Sequence, residues 1–239
     1  ESELARWRKT GTVIIASSGA NTLPTLSLSG TATNVFYYNG SGLVSSNTSW
    51  GANSNGTGAN PTAVTDTYTN FVIANGNATT DAAWTLGSNS KVIVGNGSST
   101  TLTVADTFPI TGTIDATATG SVVWKNLLTS PTFGTLDNAS EVHYQPAATA
   151  TYGLGNGTAY GKLFIDGAGK VSVLAGATNS TATVKTALTV ASGSTLEFPV
   201  TNTHSITINA GASFTLNGTV RAGKAAGFAG TVAGAATTT

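Results

Sequence analysis

Residues 187–196 read ALTVASGSTL and residues 205–214 read SITINAGASF, and the two align without a gap at an 18-residue offset. Leu188 falls on Ile206, Val190 on Ile208, Gly193 on Gly211 and Leu196 on Phe214. A looser copy, KVIVGNGSSTTL at 91–102, carries one more residue in its turn. Each copy reads strand, tight glycine turn, strand. Such a unit cannot bury its own apolar face, so the next unit must stack on it. A period near 20 residues with inward apolar pairs and a turn glycine therefore predicts an all-β chain, a parallel β-helix or β-solenoid. At roughly 20 residues per rung and ~4.8 Å between rungs, the chain beyond residue 10 would supply about ten or eleven rungs, or around 50 Å of rod. A β-sandwich would also show short strands and turns, but it gives no reason for the 18-residue self-similarity.

The rest of the chain reads the same way. Segments such as Thr12–Ile15, Leu23–Leu28, Val35–Tyr38, Phe71–Ile73, Trp84–Leu86, Lys91–Val94, Leu102–Val104, Ser121–Trp124, Glu141–Tyr144, Leu163–Ile165 and Val171–Leu174 are short and separated by Gly, Asn and Ser. Many of them alternate apolar residues with Thr or Ser. The chain divides into a charged N-terminal segment, residues 1–10, and a single solenoid over 11–239, with a long loop inserted at about 39–70. The segment ESELARWRKT holds five of the twenty charges and serves as a linker, a cap or an assembly arm. Thr, Gly, Ser and Asn supply nearly half of all residues. β-Branched Thr suits outward strand positions, and Gly and Asn suit positive-φ corners.

Charge is scarce: ten Lys and Arg balance ten Asp and Glu, and only 8% of residues are charged, against about 25% in a typical chain. Without a basic excess there is no electrostatic footprint for nucleic acid. No apolar run approaches the ~18 residues of a membrane helix, so no membrane insertion is expected. The surface-like composition points to an extracellular or cell-surface location.

Three stretches carry a family likeness. They are FYYNGSGLVSSNTSWGANSNGTGANP (36–61), FVIANGNATTDAAWTLGSNSKVIVGNGSSTTLTV (71–104) and LDNASEVHYQPAATATYGLGNGTAYGKLFIDGAGKVSVLAGATNSTATVKTALTVASGSTLEF (136–198). Together they resemble a module of large secreted, repeat-rich surface proteins of Bacteroidota-type bacteria. The resemblance covers roughly residues 30–220 and rests on patterned sequence rather than on a catalytic motif. It implies parallel β-helical rungs in an exported adhesin, surface-layer or filament component.

Candidate chemistry is sparse. The acids beyond residue 10 are spread singly along the chain, with Asp137 and Glu141 the closest pair. Glu141 and His143 would share one strand face, an arrangement that more often decorates a solvent face than performs acid–base work. His204 stands apart from them. The calcium repeat G-G-x-G-x-D is absent, and neither GNG at 95–97 nor GLGNGTAYGK at 153–162 matches a phosphate loop. No catalytic residue, metal site or cofactor is assigned, and the chain is read as a non-enzyme. Two functional expectations remain. In the first, open strand edges stack head to tail into a homopolymer. Leu4, Arg6, Trp7 and Arg8 of the N-terminal arm, with Phe228 and Val232 of the uncharged tail, are then the candidate assembly contacts. In the second, the chain is a surface adhesin whose 39–70 loop binds glycans through Tyr37, Tyr38 and Trp50. The competing structural role for Trp50 is to pin that loop to the rod.

Overall fold

Within Lys91–Val94, Gly120–Trp124, Glu141–Tyr144 and Ser205–Ile208 every second side chain is buried, while those between stay partly or fully exposed. This is the period of a strand with one face on a core. The computed structural model describes residues 12–14, 25–27, 33–126, 130–148, 151–155, 157–172, 181–198, 205–222, 232–233 and 237–238, with backbone alone at 12–14, 25–27, 151, 222, 232–233 and 237–238.

The strands stack into parallel ladders, and the chain is a β-solenoid. A six-stranded ladder holds Thr132–Leu136, Thr113–Ala116, Lys91–Val94, Thr69–Ile73 and Asn34–Tyr38, with Trp50–Gly51 added antiparallel at its edge. A ten-stranded ladder begins at Ala78–Thr79 and passes through Thr100–Val104, Gly120–Trp124, Glu141–Tyr144, Ala159–Ile165 and Thr181–Val190. It continues to Ser205–Ile208 and Ser213–Leu216, then to Val232–Ala233 and Thr237–Thr238. A four-stranded ladder joins Thr151–Gly153, Lys170–Ser172, Thr195–Phe198 and Thr219–Ala222. Trp84–Thr85 and Ile110–Thr111 form a further parallel pair. Thr12–Ile14 and Thr25–Ser27 pair antiparallel as a separate hairpin, so among the described residues parallel stacking starts at Asn34–Tyr38.

The interior is built from in-register columns. Ala78, Leu102, Val122, Val142, Leu163 and Leu188 lie one above another, all buried. Val104, Trp124, Tyr144, Ile165 and Val190 form a second buried column on the same ladder. Each such side chain contributes about 1.5–3 kcal/mol of burial, and no rung could collect that energy without its neighbours.

The 18-residue self-similarity turns out not to be the rung period. Leu163 pairs with Leu188 and Leu188 with Phe214, steps of 25 and 26 residues, whereas Leu188 and Ile206 are not stacked. Residues 187–196 turn from the ten-stranded ladder into the four-stranded one. Residues 205–214 instead turn within the ten-stranded ladder, and 91–102 turn from the six-stranded ladder into the ten-stranded one. The repeated unit is therefore a corner. Its glycine recurs because each corner needs a left-handed residue, with φ of 82° at Gly193 and 81° at Gly211. A full rung contains more than one corner: the steps from Leu102 to Val122, Val142 and Leu163 are 20, 20 and 21 residues, as the expected rung of roughly 20 requires, and later steps are longer. Asn34 pairs with Thr69 after a step of 35 residues, so fewer rungs fit than the ten or eleven expected from the offset.

Gly161 lies within the Ala159–Ile165 strand, against the Asp137–Ser140 turn of the preceding rung. A Cβ there would lie 2.0 Å from the Asp137 carbonyl oxygen and 2.7 Å from that of Ser140. One rung further on, where Tyr160 and Lys162 pair with Val184 and Ala187, the chain carries one residue more. Within that bulge the Lys185 ammonium donates to the Leu136 carbonyl and the Thr186 hydroxyl to the Asn138 carbonyl at 2.7 Å. The bare Gly161 backbone allows this reach across a rung.

Candidate functional site

The loop 39–70 folds inward. Trp50 lies between Tyr38, Phe71 and Trp84, with ring centroids 5.5, 5.1 and 5.6 Å away. Its indole N–H donates to the Val44 carbonyl at 3.0 Å, and the Trp84 indole N–H donates to Val64 at 2.8 Å. The Tyr38 hydroxyl donates to Gly42 at 2.7 Å. Every polar tip of the cluster is thus matched by a loop carbonyl, as buried Trp and Tyr require. Asp81 accepts bonds from both the backbone N–H and the hydroxyl of Ser45, and the Asn75 amide donates to Tyr38 and Ser54 carbonyls. The loop forms a plug over the interior beside the Asn34–Tyr38 strand.

This placement corrects the glycan-contact expectation for two of its three rings. Trp50 is 0% exposed and Tyr38 3%, so no sugar ring reaches either face. Tyr37 alternates to the outer side and is partly buried. Of the candidate assembly contacts, Leu4, Arg6, Trp7, Arg8 and Phe228 lie outside the described residues. Val232 belongs to a strand paired with Ile206, of which only the backbone is described.

The outer face of the ten-stranded ladder carries a second cluster. Register places Glu141 opposite Lys162 and His143 opposite Phe164 on successive rungs. The Lys162 ammonium donates to Glu141 Oε1 at 2.9 Å. His143 Nδ1 lies 2.7 Å from Asp166 Oδ2, and its Nε2 faces Glu141 Oε2 at 3.6 Å. The His143 and Phe164 rings stack at 4.3 Å with planes 4° apart, and the Gln145 amide donates to Asp166 at 3.3 Å. Partial burial pushes the Glu141 carboxyl up, but the Lys162 ammonium and His143 outweigh it and hold the group below its usual value.

Sequence reading found the Glu141 and His143 pair and treated the other acids as scattered. Lys162 and Asp166 escaped it because they arrive from the next rung, and a single strand does not show which residue of the next will stack on it. Both imidazole nitrogens face carboxylates, and the Asp166 contact ties the ring to the next rung. Lys91 and Asp115 make a comparable cross-rung pair on the six-stranded ladder, where Asp115 also accepts from the Thr135 N–H at 2.7 Å.

Beside the cluster, the corner between the six- and ten-stranded ladders is hollowed into a groove of about 420 Å³. Its lining comes from five successive rungs, represented by Asn77, Thr101, Ser121, Glu141 and Lys162. Comparison with protein-family models, curated proteins and solved structures finds no match for this chain.

Proposed function

We propose that the chain is an extracellular structural protein, a non-enzymatic rod that associates end to end with its own copies as a filament, sheath or surface-layer subunit of the bacterial type its sequence resembles. The difference between the two ends of the described ladder carries this reading. At one end the Trp50–Gly51 segment occupies the edge at Tyr37 and Tyr38, leaving only Asn34–Phe36 for pairing with another strand. At the other, parallel register continues to Val232–Ala233 and Thr237–Thr238, of which only the backbone is described. Leu216, which continues the column of Val190, is 47% exposed, and Phe214 and Val220 are only partly buried. An exposed apolar side chain at the end of a stacked column favours docking of another rung.

Light scattering and electron microscopy of the purified chain test this. Concentration-dependent growth into elongated particles is expected, reduced by Leu216→Lys. A chain that stays monomeric at every concentration, with no fibres or sheets, overturns the reading.

A further inference from the structure

The groove beside the Glu141–Lys162 pair is independent of the rod ends. The five rungs lining it span an axial run of about 19 Å at ~4.8 Å per rung. Its walls present side-chain hydroxyls and amides: Asn77, Thr101 and Ser121 occupy corner or outward positions, and Glu141 with Lys162 closes the far end.

The geometry points to this groove as a binding site for an extended, uncharged, hydroxyl-rich chain, a neutral polysaccharide laid along the rod axis. Lys162 is already neutralised by Glu141 at 2.9 Å, so the groove has no net charge to attract a phosphate or sulfate polymer. The strand backbones beneath it are paired on both sides, at Thr100–Val104 with Ala78–Thr79 and Gly120–Trp124, so a peptide cannot add there as a strand. The groove wall contains no large apolar side chain to anchor a lipid or a peptide. Sugar hydroxyls both donate and accept, and so match Thr, Ser and Asn at each rung. The rungs repeat these groups every ~4.8 Å, so an extended sugar chain laid along the rod meets further hydroxyls as it lengthens. Each contact is weak without an aromatic platform, and affinity accumulates with length.

Titration calorimetry with neutral disaccharides and hexasaccharides of the cello-, laminari-, manno- and chito-series tests the site. Saturable binding of at least one hexasaccharide is expected, at least about tenfold tighter than its disaccharide. Ser121→Trp and, separately, Thr101→Trp should abolish it, while Thr207→Trp, outside the groove on the same ladder, should leave it unchanged. Circular dichroism confirms that each variant keeps its strand signal, and either groove variant that folds serves as the test. No binding by any hexasaccharide, equal affinity for disaccharide and hexasaccharide, or undiminished binding by a folded groove variant overturns the assignment. So does selective binding of an anionic polymer such as heparin.

Discussion

At the scale of single residues, glycines do two different jobs. Gly193 supplies a left-handed backbone, and a methyl added there would meet nothing within 4 Å, so only conformation is at stake. Gly161 has no positive φ but faces backbone carbonyls as close as 2.0 Å, so space is at stake. Gly193→Ala should cost about 1 kcal/mol, and Gly161→Ala about 3 kcal/mol because the clashing atoms are backbone. Urea unfolding of the two variants decides the order, and a larger loss at Gly193 would contradict it. Glu141 gives a pH dependence of known sign. Its folded value is lowered from the ordinary 4.5. The stability it contributes is therefore present above that ordinary value and lost as pH falls through the lower folded one. Thermal unfolding across the acid range should show this loss in the parent chain, and Glu141→Gln should flatten it.

At the scale of elements, the plug formed by residues 39–70 is held by one aromatic cluster and a set of side-chain bonds to loop carbonyls. Trp50→Ala should destabilise the chain by about 3–5 kcal/mol. Hydrogen exchange should locate the change, with protection lost first in 39–70 and in Asn34–Tyr38. Equal loss at Thr195–Phe198 would mean that the loop is not a separate closing element. The strands themselves were largely legible in sequence. Lys91–Val94 and Glu141–Tyr144 have the bounds that alternation predicts, and Val35–Tyr38 differs by one residue. Missing from that reading were Thr132–Leu136, Thr151–Gly153 and Thr219–Ala222. Their Thr- and Gly-rich sequences lack a strong apolar alternation, and stacking on a neighbouring rung makes them strands. The inward turn of Trp50 was legible only as a competing possibility, because an aromatic in a polar loop has the same local sequence whether it faces solvent or core.

At the scale of the whole molecule, a solenoid has a stable middle and two ends with separate problems. Here the Asn34 end carries a plug, and at the other end, among the described residues, Leu216 is exposed while Phe214 and Val220 are only partly buried. If that end drives association, apolar contact and backbone pairing dominate it. The charges there are already engaged: Lys170 and Arg221 both pair with Glu197 across rungs, and Lys185 donates to the Leu136 carbonyl. Association should therefore change little between low and high salt, as sedimentation at the two ionic strengths would measure. A strong loss of association with salt would assign the contact to charge instead.

The sequence by itself determined the all-β character, the corner motif and the scarcity of charge, because strand alternation and left-handed turns are local demands that each segment answers alone. The lengthening of some rungs beyond about 20 residues, the inward direction of the 39–70 loop, the cross-rung set of Glu141, His143, Lys162 and Asp166, and the axial groove were decided only by tertiary structure. All four depend on which residue of one rung lies above which residue of the next. That register is set by the full path of the chain around the rod, and a corner repeated within the path carries no record of it.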